Sequence, residues 1–260
     1  MGGARAEGAA WATVAKPTAG PPRIIGQTGL GCIAGAVALP PDGPGWQAVR
    51  LSRNRNWGHP ALVESLRDLA TRARAQGIPT LWIGDLGQPR GGPMPYGHSS
   101  HQVGLDADIW LDLSPKPALT VAAREDIAVP SLVLPDESGI DPVRWTARHA
   151  ALIRLAADLA GVDRIFVNPA IKRQLCRSDA GAAWLRRVRP WRGHDSHMHI
   201  RLRCPPGQGD CRDQPPLPAG DGCDASLDWW FTPEARHPAP RPPGPAPRLP
   251  AACQAVLEGR

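Results

Sequence analysis

Residues 97–110 read Gly-His-Ser-Ser-His-Gln-Val-Gly-Leu-Asp-Ala-Asp-Ile-Trp. From Gly104 to Leu111 the residues alternate with the period of a strand. Leu105, Ala107 and Ile109 therefore take one face, and Asp106 and Asp108 the other. A second stretch, residues 194–199, reads His-Asp-Ser-His-Met-His. It enters a strand expected over His197 to Arg203, in which Met198, Ile200 and Leu202 face the core. His197 and His199 then project together from the opposite face. Five of the eight histidines fall in these two segments.

Outward from these strands, His59 to Gln76 reads as a helix. Pro60 suits its first turn, Leu62, Val63, Leu66, Leu69, Ala70 and Ala73 form one apolar face, and Gly77 stops it. Thr80 to Leu86 reads as a buried strand and Gly87 to Tyr96 as a Gly/Pro loop. Trp145 to Ala160 is a second amphipathic helix, with Gly161 as its cap. A short strand is expected over Gln47 to Ser52 and another over Arg164 to Asn168. Short helices follow near Ala170 to Cys176 and Ala182 to Arg187. Strands and long helices without regular βαβ alternation indicate an α+β fold. The expectation is a small central antiparallel sheet carrying the histidines, flanked by helices and by disulfide-stapled Pro/Gly-rich loops. Residues 1–22 are expected to be a flexible tail, 23–232 the working domain, and 233–260 a proline-rich tail tied back by Cys253.

Composition bounds the function classes. With 42% hydrophobic and 21% charged residues the chain has material for a real core, and no apolar run reaches the ~18 residues of a membrane span. Proline, at 31 of 260 residues, is in excess, and 13 of these follow residue 204. The net charge of +6 suits an anionic partner. No helix-turn-helix, zinc-finger or RNP-like pattern accompanies it, so nucleic acid is not the expected partner. None of the six cysteines forms a C-x-x-C pair, so an even count reads as disulfides and an oxidising compartment. Six cysteines allow 15 pairings, and spacing alone supports only Cys204–Cys211. Met1 to Pro22 is a poor secretory signal, because Ala9 to Ala15 is short and interrupted for an apolar region of about 7–15 residues. The expectation is that a signal was removed or the start misassigned.

His101 and Asp108 stand a loop-into-strand spacing apart, and the second segment offers one imidazole of the His197/His199 pair. Two imidazoles and one carboxylate make the three-ligand set of catalytic zinc, with a fourth position for water; the same set could hold iron(II). Zinc lowers the pKa of water from about 15.7 toward ~7 and polarises a carbonyl, which allows amide hydrolysis at neutral pH. The remaining histidine of that pair stands beside this set, about one strand pleat away, where it can manage a proton. Taken singly, such a histidine is more often a surface or hydrogen-bonded residue. Taken jointly, strand faces carrying His and Asp side by side leave polar groups unpaired without an ion. Asp106 reads equally as a residue that orients a ligand and as a strand-edge carboxylate. His59, His149 and His237 carry no partner pattern. No G-x-S-x-G, S-x-x-K, H-E-x-x-H, P-loop or dinucleotide fingerprint is present.

The chain resembles the penicillin-insensitive murein endopeptidases, within the wider group of lysostaphin-type peptidases, D-Ala-D-Ala dipeptidases and the hedgehog domain. The resemblance runs from Ile24 to about Leu257. It rests on Gly84-Asp85-Leu86-Gly87-Gln88-Pro89-Arg90-Gly91-Gly92, on residues 97–110, and on Arg164-Ile165-Phe166-Val167-Asn168-Pro169-Ala170-Ile171-Lys172. Val188-Arg189-Pro190-Trp191, the His194 to Arg203 segment and the six cysteines also fit. It implies zinc held by His101, Asp108 and His199, with His197 as general base or transition-state stabiliser and His194 and His98 lining the site. It also implies disulfides Cys32–Cys253, Cys176–Cys223 and Cys204–Cys211, a periplasmic address and a homodimer. Family members can bind a further zinc through His98 and a downstream Asp/His pair. Asp136 matches the first of that pair, while Gly139 stands where the histidine would be, which speaks against a second ion. His98, Asp106 and Asp136 are thus candidates for an accessory ion or for orienting the ligands. Arg90, Arg192 and Tyr96, beside the two motifs, are candidate substrate contacts. The implied reaction is hydrolysis of D-alanyl–meso-diaminopimelyl crosslinks in peptidoglycan, untouched by penicillins because no serine is acylated. The alternatives are a D,D-carboxypeptidase or dipeptidase on peptidoglycan peptides, and a non-catalytic wall-binding or zinc-binding module.

Overall fold

A computed structural model of the chain describes residues 8–239 and 248–260. Its centre is a seven-stranded mixed sheet, where the sequence led us to expect a small antiparallel one. The strands are β1 (Asp42–Gly43), β2 (Trp46–Ala48), β3 (Leu81–Ile83), β4 (Asp106–Trp110), β5 (Val162–Val167), β6 (Val188–Pro190) and β7 (His197–Leu202), in spatial order β6-β5-β7-β4-β3-β2-β1. The middle is antiparallel: β7 pairs antiparallel with both β4 and β5, and β3 with β4. Parallel pairings β5–β6 and β2–β3 extend it on each side. The strand expected over Gln47 to Ser52 stops at Ala48, and Leu51–Arg53 is a 3₁₀ turn.

Helix α1 (Pro60–Ala75) forms where expected, and all six residues of its apolar face are buried. His59 caps it, its Nδ1 accepting the Ala61 N–H at 3.1 Å. The side chains of Leu62, Leu66 and Leu69 are shielded from water, each contributing on the order of 1.5–3 kcal/mol. Helix α2 (Ala147–Ala157) packs beside it and against β5, while α3 (Pro169–Asp179) packs against β6 at the sheet's far edge. Met198, Ile200 and Leu202 join this core with Ala107 and Ile109, as the alternation demands. The opposite face of β4 and β7 is left for the polar side chains.

The expectation of a flexible tail over 1–22 fails for residues 8–22. Residues 8–12 are helical, and Trp11 is 1% exposed in a second small core with Ile25, Cys32, Cys253 and Val256. The indole lies directly on Gly92, where a Cβ would meet the ring at 2.1 Å, and the left-handed φ of 73° there also requires glycine. At the other end Cys253 lies in the first turn of a short helix, Ala252–Glu258, and is bonded to Cys32 in the hairpin Arg23–Gln27/Leu30–Ala34. Cys176–Cys223 and Cys204–Cys211 complete three disulfides. Residues 240–247 of the proline-rich tail lie outside the described residues.

Candidate metal centre

Register builds the site. On one face of the sheet, His197 on β7 lies opposite Trp110 on β4, and His199 lies between Asp108 on β4 and Phe166 on β5. One repeat further, Arg201 lies between Asp106 and Arg164. These rungs place Asp108, 2% exposed, at the centre of the histidines. His101 Nε2 stands 3.6 Å, His199 Nδ1 3.5 Å and His197 Nε2 3.8 Å from Asp108 Oδ1, and His98 Nδ1 stands 3.6 Å from Oδ2.

The other ring nitrogens are occupied, which decides the tautomers. His101 Nδ1 donates to the Leu86 carbonyl at 3.0 Å, leaving a lone pair on Nε2. His199 Nε2 donates to Asp106 Oδ1 at 2.7 Å, leaving a lone pair on Nδ1. Both lone pairs face one anionic oxygen at distances too long for a hydrogen bond. Yet His101 Nε2 and Asp108 Oδ1 are buried without any partner, and leaving such groups unpaired costs roughly 1–3 kcal/mol each. A bridging cation resolves this: ligand atoms about 2.0–2.2 Å from a tetrahedral zinc stand about 3.3–3.6 Å apart. The donor set therefore fits a divalent ion.

His98 complicates the ligand set. His98, His101 and Asp108 offer ligand atoms all within 4.8 Å of one another. Two overlapping triads thus share His101 and Asp108, one completed by His199 and one by His98. Their electrostatics differ. Burial pushes the His101 imidazole down to about 3, so it is neutral at physiological pH. For His98 burial also acts downward, but the Asp85 hydrogen bond at 3.2 Å and the charges of Asp108 and Asp85 outweigh it and raise the pKa. A proton held on His98 opposes metal binding there. His199, by contrast, has its tautomer set by Asp106, which is fully buried.

Asp106 is the hub beneath the ligands. Burial opposes its ionisation, but Arg201 and His199 overcome this and hold the carboxyl far below its usual range. It accepts from Arg201 Nε at 2.6 Å and from the His101 backbone N–H at 3.1 Å. That last bond secures His101 at φ 67°, a left-handed conformation that costs a non-glycine residue about 1–2 kcal/mol. Asp108 is likewise lowered against burial, by His101, His197, His199 and His98.

His197 has a buried Nδ1 without a partner, and burial lowers its pKa against the pull of Asp108. His194 is pushed down to about 4 by burial, and by His197 and His199 beside it. The two rings lie 4.9 Å apart, and His194 Nδ1 donates to the Arg192 carbonyl. A groove of about 700 Å3 opens over these residues, lined among others by His98, His194, His197, His199, Phe166 and Trp191. A larger one, about 950 Å3, lies at Trp184 and Leu217 and contains none of the histidines.

Several expected residues lie elsewhere. Asp136 is exposed and bonds Ser138 within its own turn, apart from the cluster. Arg90 bonds the carbonyls of Lys16 and Leu257, so it ties both termini to the domain instead of lining the groove. Arg192 reaches the groove, but its guanidinium is taken up by Glu137 and the carbonyls of Ala235 and Trp230. Tyr96 is 58% exposed, with Arg55 stacked 4.3 Å from its ring centre, and does not line the groove. Sequence reasoning overlooked Asp85, which accepts from Arg53, Arg55 and His98 at 3.0–3.2 Å. It lies within the quoted Gly84–Gly92 stretch, but nothing along the chain ties it to His98. Arg201 was overlooked as well, although its i+2 spacing from His199 placed it on the same face.

A family model described as penicillin-insensitive murein endopeptidase matches residues 24–258. The chain is 45% identical over 250 residues to a penicillin-insensitive murein endopeptidase of Klebsiella pneumoniae, covering 95% of this chain and 90% of the relative. It is 44% identical over 239 residues to the protein of that name from Haemophilus influenzae, covering 90% and 82% respectively. With a Salmonella heidelberg protein of the same name the identity is 45% over 253 residues, covering 95% and 90%. The chain belongs to the penicillin-insensitive murein endopeptidase family.

Proposed function

We propose that this chain is a zinc-dependent endopeptidase that hydrolyses the D-alanyl–meso-diaminopimelyl amide crosslinks of peptidoglycan, outside the reducing cytosol. The observation that carries the reading is the unpartnered Asp108 Oδ1 facing two imidazole lone pairs at 3.5 and 3.6 Å under an open groove. His101, Asp108 and His199 would hold the ion, with Asp106 fixing the tautomer of His199 and the backbone of His101. Bound there, zinc supplies Lewis-acid polarisation of the amide carbonyl and acidification of water.

The chain's own side chains do the rest. His197, kept neutral by burial, takes at an open ring nitrogen the proton given up by the attacking water. His194, neutral for the same reason, has its Nδ1–H engaged by the Arg192 carbonyl, so its Nε2 is the nitrogen available to relay a proton toward the departing amine. Phe166 packs edge-on against His199, ring centres 5.3 Å apart, and braces that ring from the neighbouring strand. The family name supports the substrate, and three disulfides support an oxidising compartment, the periplasm. A homodimer is part of the same reading, checked by light scattering.

Muropeptide chromatography after incubation with purified sacculi tests the function. Loss of crosslinked dimers is the expected result, abolished in His101→Ala and by a chelator. Release of free D-alanine instead would make it a carboxypeptidase. Unchanged sacculi with retained zinc would make it a binding module, and full activity without metal would sink the zinc reading.

A further inference from the structure

The third rung of the site face, Asp106–Arg201–Arg164, sets two arginines opposite each other on adjacent strands. Like charges so placed repel unless anions sit between them. Asp106 serves Arg201 from one side, through Nε, and Gln214 accepts from its NH1 at 2.8 Å. Asp163 and the Pro215 carbonyl serve Arg164, through Nε and NH2. Arg201 NH2 and Arg164 NH1 form no hydrogen bond among the described residues. Both arginines line the groove that leads from the histidines, and no Asp or Glu lines it. Arg201 is only 5% exposed, so it is a buried cation whose open edge faces that groove. Arg192, the groove's third arginine, already has each of its three guanidinium nitrogens hydrogen-bonded.

Position specifies the ligand. Arg201 follows His199 by two residues on one strand face, a translation of about 6.6–6.8 Å. An amide seated at Asp108 and His199 carries its amine-side carbon one bond beyond the scissile nitrogen. A carboxylate on that carbon falls within reach of both guanidinium groups, which present paired donors matched to two carboxylate oxygens.

We propose that Arg164 and Arg201 form a carboxylate subsite that takes the free α-carboxylate on the amine side of the cleaved amide. This rests on the endopeptidase reading, since the diaminopimelyl side of such a crosslink carries that carboxylate. It makes the enzyme selective against murein in which the same position is amidated.

The experiment compares two crosslinked muropeptide dimers that differ only there, carboxylate against carboxamide. It uses two readouts: kcat/KM for cleavage by the zinc-loaded protein, and calorimetric affinity of the intact peptides for the chelator-treated protein. The wild type is expected to prefer the carboxylate by about 10–100-fold in both. Arg164→Gln is expected to bring the ratio close to one. Arg164→Lys, which keeps the charge and loses the fork, is expected to fall between, and it serves if the glutamine variant does not fold. A wild type that binds both peptides equally overturns the subsite, as does an Arg164→Gln protein that keeps the full preference. Preferential binding without cleavage would support the subsite and count instead against the hydrolytic reading.

Discussion

Asp106→Asn is the substitution that most directly tests how the centre is held. The change is nearly isosteric, yet it removes the charge that Arg201 Nε and His199 Nε2 share at 2.6 and 2.7 Å, in a site with no solvent exposure. Breaking one partner of a buried ion pair costs about 3–5 kcal/mol, because the remaining charge is left unpaired. In a chain of this length each kcal/mol moves the melting temperature by about 2–4 °C, so a drop of roughly 6–20 °C is expected in the metal-free protein. The His199 ring also loses the acceptor that fixes its tautomer, and losing such outer partners lowers metal affinity by about 10–100-fold. Differential scanning calorimetry and competition with a chromophoric chelator measure the two effects separately. Asp106→Leu combined with Arg201→Met removes both charges, and should recover much of the stability without recovering zinc affinity. A single Asp106→Asn protein that melts within about 2 °C of wild type and binds zinc within about threefold would refute the reasoning.

His197→Gln should retain bound zinc while kcat falls by about 10²–10⁴, the range for a lost acid–base group; metal loss measured by atomic absorption would make His197 a ligand instead. Acid should destabilise the metal-free protein through His101, which is neutral in the fold down to about 3 but takes a proton near 6.5 when unfolded. The unfolded state binds more protons between those values, so stability is lost as the pH is lowered through that window, by up to ~1.4 kcal/mol per unit from this residue. Urea titrations in that range should show a flatter dependence for His101→Asn, and parallel slopes would contradict the buried neutral imidazole. Among the disulfides, Cys32–Cys253 spans 221 residues and Cys204–Cys211 only 7. Chain entropy then assigns about 5 kcal/mol to the first and about 2.5 to the second, so the serine double variants should differ in denaturation midpoint in that order.

The parts of this protein legible in sequence are those that local periodicity encodes. Alternation over residues 104–111 and 197–203 placed Asp106, Asp108, His197 and His199 on one sheet face, and register brought them together. The 3.6-residue period of α1 named six positions, all buried. Periodicity fails where elements are too short to show one. Strands β1 and β6 span only two and three residues, β6 ending in a proline suited to its place at the sheet edge, and so the sheet is wider than expected. Glycine and alanine around Trp11 resembled a loose tail, because the core that buries the indole comes partly from a helix more than 240 residues away.

Side-chain partners were decided only by the tertiary structure. Arg90 and Arg192 flank the motifs in sequence, yet their guanidiniums are consumed by carbonyls of segments that arrive from elsewhere. Asp85 reaches His98 through a contact that no spacing along the chain announces, and although spacing puts Arg201 on the histidine face, only the fold pairs it with Asp106 and the open groove. The sequence by itself determined which faces are apolar and which residue types converge, since a side chain's direction follows from its own backbone. What a long polar side chain touches depends instead on which distant segment lies within its reach, and packing alone settles that.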